Sequence, residues 1–154
     1  MKKVLFVCLG NICRSPLAEG LAKHLANEKG VSDQFYFDSC GTSQYHIGEQ
    51  PDDRTLKNAA NNGIKLDHQA RQFEKKDFRD FDYILAMDAA NLSNIKILDQ
   101  AKQFGDKLYL MRDFDPNNPG ADVPDPYFGG EQGFQNVYDI LERSVNNFIE
   151  TELI

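Results

Sequence analysis

The sequence predicts an α/β fold: a single three-layer domain built on a four-stranded, parallel, twisted sheet with helices on both faces. Three observations predict it. Short β-branched and aromatic runs alternate with longer segments of helical periodicity. The runs are apolar almost throughout, as strands covered on both faces must be. No internal repeat interrupts the alternation, which leaves an open sheet with right-handed crossovers.

The elements follow in order. Residues 4–8 (VLFVC) form the first strand, ended by Gly10 and Asn11. A helix follows: Ser15 is a cap-type residue, Pro16 suits the first helical position, and Leu17, Leu21, His24 and Leu25 recur at helical spacing until Gly30. Residues 35–38 predict the second strand, and 52–62 a helix closed by Gly63. Residues 81–87 predict the third strand, ending at Asp88. Residues 89–104 then place Leu92, Ile95, Leu98 and Ala101 on one helical face before Gly105. Residues 107–111 give the fourth strand, and Phe134, Val137, Leu141, Val145 and Phe148 mark an amphipathic last helix. The irregular stretch 112–133 is rich in proline and glycine, and its length predicts a functional loop.

Bulk properties narrow the function. A chain of 154 residues supports one compact unit, so residues 1–154 are expected to form a single domain holding the whole site. The net charge of −7 opposes binding to nucleic acid or an anionic membrane, so any phosphate site must gather its positive field locally. Three cysteines make no paired disulfide framework, which predicts a reducing, cytoplasmic location. The apolar run 4–9 is too short for a signal core, and Val7 before Cys8 is not a small residue. No segment approaches the roughly 20 apolar residues of a membrane span.

Cys8-Leu9-Gly10-Asn11-Ile12-Cys13-Arg14-Ser15 sets a cysteine and an arginine around five residues at a strand–loop–helix junction. Cys8 stands at the carboxyl end of a strand, where open α/β sheets bind ligands. The intervening backbone can curl so that successive N–H groups point inward, joined by those of the following helix. A phosphate dianion fits such a bowl. Gly10 clears bulk from it, and Asn11 suits a positive φ. Arg14 can grip two equatorial oxygens. The same donors favour the Cys8 thiolate, an attacking nucleophile, and Ser15 can donate to its sulfur. Asp113, Asp115, Asp122 and Asp125 are candidates to protonate the leaving group; Asp125 is preferred because Pro126 fixes the turn and Tyr127 supplies an aromatic wall.

The segment from Cys8 to Pro16, the run Tyr83-Ile84-Leu85-Ala86-Met87-Asp88 and Asp125-Pro126-Tyr127 together resemble the low-molecular-weight protein tyrosine phosphatases, in order and spacing over nearly the whole chain. The resemblance implies a flavodoxin-like strand order 2-1-3-4. It also implies hydrolysis of phosphotyrosine and small aryl phosphates without a cofactor. By resemblance Cys8 is the nucleophile, Arg14 the phosphate ligand and Asp125 the acid and base. Leu9, Gly10, Asn11, Ile12, Cys13 and Ser15 supply the phosphate loop, Asn11, Ser15 and His68 brace it, Tyr45 and Tyr127 flank the cleft, and Asp88 is an orienting acid. Phe128 stands where eukaryotic members have a second tyrosine, so phosphorylation at that position is unavailable. The implied partners are phosphotyrosine-containing proteins, with inorganic phosphate and other oxyanions as competitive ligands.

Plainer readings stand beside these. A lone cysteine in an apolar strand is ordinarily a small core residue, and Arg14 with Gly10-Asn11 is what argues otherwise for Cys8. Cys13 either packs or forms a transient disulfide with Cys8 that shields it from over-oxidation; the second is preferred. Cys40 reads as packing, and His24 and His46 as surface residues, with His46 near enough to Tyr45 to touch substrate. Three scattered histidines without spaced partners predict no metal site. Arsenate reduction needs relay cysteines after Cys40, and none occurs. Protein arginine phosphatases resemble this chain but have a smaller β-branched polar residue at the position of Ile12. A silent phosphate-binding module is expected to lack Cys8, Arg14 or Asp125, and all three are present.

Overall fold

The computed structural model describes residues 1–127 and 129–153. Its elements are β1 (Lys2–Cys8), α1 (Arg14–Glu28), β2 (Phe35–Gly41), α2 (Asp53–Asn61), α3 (Asp77–Asp80), β3 (Tyr83–Ala86), α4 (Ala89–Leu98), β4 (Leu108–Leu110) and α5 (Gly130–Thr151). The strands form one parallel sheet in the order β2-β1-β3-β4, as expected.

β1 is the middle of the molecule because it can be wet on neither face. Val4, Phe6 and Cys8 point into a core shared with Leu17 and Leu21 of α1 and Leu141, Val145 and Phe148 of α5. Leu5 and Val7 point the other way, into a core with Phe73, Phe78, Ile84 and Ile95. Burying each such side chain favours folding by ~1.5–3 kcal/mol, so both faces hold β1 in register. From β1 the chain pairs first with β2 on one side and then with β3 on the other. The connections therefore diverge at the carboxyl end of β1 and open a crevice there, at Cys8.

Several boundaries differ from those the sequence predicts. α1 begins at Arg14, so Pro16 occupies the third helical position rather than the first. That position also lacks an intrahelical N–H partner, so proline costs nothing there. α4 stops at Leu98 instead of continuing to residue 104: the Asp99 carboxylate accepts the N–H groups of Gln103 and Phe104, and Lys102 turns the chain at φ 53°. This local hydrogen bonding outcompetes the helical pattern. Phe104 stacks on Phe78 instead. α3 was not predicted; the buried Asp77, which accepts the Glu74 N–H and two Arg71 donors, sets its start.

The long loop is shorter than the sequence predicts, because a 3₁₀ turn at Met111–Phe114 precedes it and α5 starts at Gly130. It is also tied down. Asp115 is 1% exposed and takes a bidentate grip from Arg143 on α5, at 2.7 and 3.0 Å, and a further bond from Arg112 Nε at 2.9 Å. Arg112 Nη1 reaches on to the Asp122 carbonyl, and Val123 N–H bonds the Met87 carbonyl at the end of β3.

The Arg143 contact is the chief cause that holds the Asp115 carboxyl well below the usual carboxylate range. A depressed carboxyl stabilises the fold above its unfolded pKa of about 3.9, and that stabilisation fades as pH falls through the folded value. Asp115→Asn should therefore lower stability near neutral pH by about 3 kcal/mol, and the gap to the parent should close progressively below about pH 4. Urea unfolding across pH measures both; a gap that stays constant down to pH 2 would contradict the charge argument.

Candidate active site

Residues 9–13 leave the end of β1, curl, and enter α1 at Arg14. Asn11 has φ 58°, the left-handed region expected for it, and its N–H donates to Cys8 Sγ at 3.2 Å. Ser15 Oγ lies 3.0 Å from the same sulfur. Ser15 Oγ also accepts from Asn11 Nδ2 at 2.8 Å, and of the two acceptors for its own hydrogen the sulfur is nearer than the Cys40 carbonyl, which lies at 3.3 Å. The sulfur thus sits beneath two donors at the amino end of a 15-residue helix, a setting that favours negative charge.

The Asn11 carboxamide is the cross-brace. Oδ1 accepts from His68 Nε2 at 2.7 Å and from the Arg71 N–H at 3.0 Å; Nδ2 donates to Ser15 and, at 3.0 Å, to Ser39. Ser39 passes its hydrogen to the buried Glu19, 2.7 Å away, and His68 Nδ1 lies 3.2 Å from the same carboxylate oxygen. Glu19, Asp38 and His68 thus offer ligand atoms within 4.8 Å of one another, a grouping the spacing of histidines did not reveal. Those atoms are already engaged: Glu19 by Ser39 and Lys23, Asp38 by Arg71 and His68 by Asn11.

A second strap runs outside the loop. Thr42 N–H bonds the Cys8 carbonyl at 2.9 Å, Ser43 N–H the Leu9 carbonyl at 3.0 Å, and Asp52 N–H the Ile12 carbonyl at 2.8 Å. These contacts need Gly41, since a Cβ there would lie 2.7 Å from the Leu9 carbonyl oxygen and 3.1 Å from the Asn11 nitrogen.

Arg14 is 4% exposed, and one of its nitrogens, Nη1, is bound to Asp88 Oδ2 at 2.7 Å and the Val123 carbonyl at 2.9 Å. Arg14 lines the cleft together with Cys8. Burial acts to depress its pKa, but charge on Cys8, the bond to Asp88, and Asp125 outweigh that and raise it. Asp88 also caps α4 through the Asn91 N–H, so the acid that orients Arg14 is itself fixed.

Of the four acidic candidates on the long loop, the structure brings one to the cleft. Asp113 accepts the Leu110 N–H, Asp115 is buried between two arginines and Asp122 accepts the Ala89 N–H. Asp125 lines the cleft with Cys8, Arg14 and Tyr127, in a turn held by the Tyr127 N–H at 3.0 Å. The cleft measures about 120 Å³, and Leu9, Gly10, Ile12, Cys13 and His46 complete its wall. Tyr45 is 78% exposed and does not line the cleft; its neighbour His46 does. Phe128 lies outside the described residues. Burial pushes the Cys13 thiol up to about 12, so it stays neutral beside the site; Cys40, buried completely, is raised as well.

A parallel sheet that sets a cysteine sulfur and a buried arginine in one backbone cradle at its switch point defines a cysteine-based phosphatase. The model of the family "Low molecular weight phosphotyrosine protein phosphatase" matches residues 3–153, and the chain belongs to that family. The Schizosaccharomyces pombe protein of that name is 43% identical over 152 residues, covering 97% of this chain and 96% of its own. Among solved structures, a protein tyrosine phosphatase from Entamoeba histolytica with Hepes in its active site superposes with a TM-score of 0.93 at 41% identity, over 99% of this chain and 100% of its own. A Drosophila arginine phosphatase superposes with a TM-score of 0.89 at 34% identity, over 98% and 97%.

The sequence reading missed Gly41, Ser39, Glu19, Asp52 and Arg71. Gly41→Ala should push the phosphate loop outward, because the clash is with backbone. The expected result is a loss of about 1–3 kcal/mol in stability together with weakened competitive inhibition by inorganic phosphate. Thermal unfolding and inhibition constants measure the two; unchanged phosphate affinity would show that the loop does not depend on that approach.

Proposed function

We propose that this protein hydrolyses phosphotyrosine in proteins, and small aryl phosphates, through a phosphocysteine intermediate. The observation that supports it most is the convergence of Cys8, Arg14, Asp125 and Tyr127 on one cleft of about 120 Å³, room for a phosphoryl group and a ring but little more. The Cys8 thiolate attacks phosphorus in line with the ester oxygen while the loop N–H groups and Arg14 hold the equatorial oxygens. As the P–O bond breaks, Asp125 gives its proton to the departing phenolate. Asp125, now a carboxylate, takes a proton from water as that water attacks the phosphocysteine. The products are inorganic phosphate and the regenerated thiolate. Ser15 steadies the charge returning to sulfur. Tyr127 and Ile12 offer flat apolar contact to a phenyl ring, which favours tyrosine over arginine phosphate. Three free cysteines accord with a reducing, cytoplasmic setting.

Turnover of an aryl phosphate without added metal tests this reading. Cys8→Ser should abolish it. Asp125→Ala should slow esters of poor leaving groups by roughly 10²–10⁴-fold and activated esters far less. Equal losses for both ester classes would remove Asp125 from the acid role.

We further propose that Cys13 protects Cys8. Oxidation of the Cys8 thiolate by peroxide gives a sulfenic acid; the Cys13 sulfur attacks that sulfur as its proton passes to the departing hydroxide, a disulfide forms and water leaves. Peroxide inactivation of the parent should reverse with added thiol, and Cys13→Ser should recover much less. Equal recovery would leave Cys13 a packing residue.

A further inference from the structure

The catalytic cleft is not the largest depression on this face. A groove of about 490 Å³ runs between α2 and the start of α5, some four times the volume of the cleft itself. The two depressions share a wall. Arg54, at the start of α2, lies 4.8 Å from the ring centroid of Tyr127, which lines the cleft, and 4.9 Å from that of Phe134, which lines the groove. Its Nη1 bonds the Tyr127 carbonyl at 2.9 Å, and Asp52 holds its other nitrogens at 3.0 Å. Arg54 is therefore a fixed ridge between cleft and groove.

The chemistry of the groove is distinctive. Asn58 and Asn61 on α2 face Gln132 and Gln135 on α5, over the ring of Phe134. Asn58 Nδ2 and Asn62 Nδ2 both donate to Gln135 Oε1, at 2.9 and 3.1 Å, and Gln135 Nε2 donates to Asp139, so Asn58 and Gln135 tie the floor of the groove together. Asn61 and Gln132 stand exposed on its two walls, Gln132 with its Nε2 on Asn136 at 2.9 Å. The cations nearby are matched: Arg54 by Asp52, and Lys57 by Glu131 at 3.7 Å. The exposed Asn61 carboxamide offers a donor and an acceptor without net charge, and the Gln132 carbonyl a further acceptor, which complements the backbone of an extended peptide whatever its sequence. A small aryl phosphate fills the cleft and has no use for this space. A phosphotyrosine within a protein brings chain on both sides of its ring, and the groove adjoins that ring's wall.

We infer that the groove between α2 and α5 binds the polypeptide flanking the phosphotyrosine, through backbone contacts to Asn61 and Gln132. The inference rests on the function proposed above, and its test separates the two. Asn61 and Gln132 are exposed, on opposite walls, so Asn61→Trp with Gln132→Trp fills the groove without touching the core. The pair should lower kcat/KM for a phosphotyrosyl peptide of about ten residues, ~33 Å when extended, by about tenfold. Turnover of phenyl phosphate should not change. The alanine pair should give a smaller loss of the same selectivity. Equal effects on both substrates, or none on the peptide, would overturn the groove.

A direct measurement does not depend on turnover. In the Cys8→Ser protein, the side-chain amide resonances of Asn61 and Gln132 should shift when that peptide is added and stay fixed with phenyl phosphate. Unmoved resonances at saturating peptide would refute the site. If the parent hydrolyses neither substrate, the catalytic reading falls alone, and the same titration still decides the groove.

Discussion

The Asn11 carboxamide holds the site together, because it is 1% exposed and uses every donor and acceptor it has. A loop of residues 9–13 has no strand or helix of its own to keep it curled, and inward-facing N–H groups repel one another when no anion is bound. The carboxamide resolves this by tying the loop's left-handed residue to β2 through Ser39, to α1 through Ser15, and to the 68–71 segment through His68 and Arg71. Since a half-satisfied buried network is worse than none, the four partners stand or fall together. The hydroxyl that Asn11 fixes is the one that reaches the Cys8 sulfur, so the brace that shapes the cradle also sets the environment of that sulfur.

The second half of the site is assembled on a different principle. Asp125 belongs to a loop with no regular structure, and its position is inherited from charges that never enter the cleft. Asp115 pins the loop's beginning to α5 through Arg143, and Arg112 pins its middle at the Asp122 carbonyl. Val123 then joins the end of β3 through its N–H and Arg14 through its carbonyl. Only one residue, Pro124, separates that anchor from Asp125. Arg14 and the loop that carries Asp125 are therefore not independent parts: Arg14 holds the loop through Nη1 and lines the same cleft as Asp125.

This division explains what the sequence disclosed. The sheet, its order and the cradle were legible, since the run from Cys8 to Ser15 is contiguous and its chemistry follows from spacing. Asp125 was legible through the prolines beside it. The braces were not. Glu19, Ser39 and Arg71 stand on three separate segments and look like ordinary surface or strand residues until the fold brings them round Asn11. Gly41 reads as a strand end, and only the approach of Leu9 and Asn11 shows why it lacks a side chain. The helix predicted through residue 104 failed because Asp99 offers the backbone a better local partner than the helix does. Tyr45 and His46 are adjacent, and nothing in the order of two neighbours tells which one the turn directs inward.

The electrostatics follow from the same economy of parts. A chain of net charge −7 has no long-range field to draw an anion, and its arginines are mostly committed to carboxylates: Arg54 to Asp52, Arg71 to Asp38 and Asp77, Arg143 to Asp115. Arg14 alone among these four is held by its acid through a single nitrogen at the floor of a cleft. Its attraction for a phosphoryl group is short-ranged and directional, strongest when three oxygens lie in the plane facing the loop. Binding so localised says little about a leaving group beyond its shape, and selection among phosphorylated proteins then has to come from the surface around the cleft, where Tyr127, Ile12 and the ridge at Arg54 meet whatever chain the phosphotyrosine belongs to.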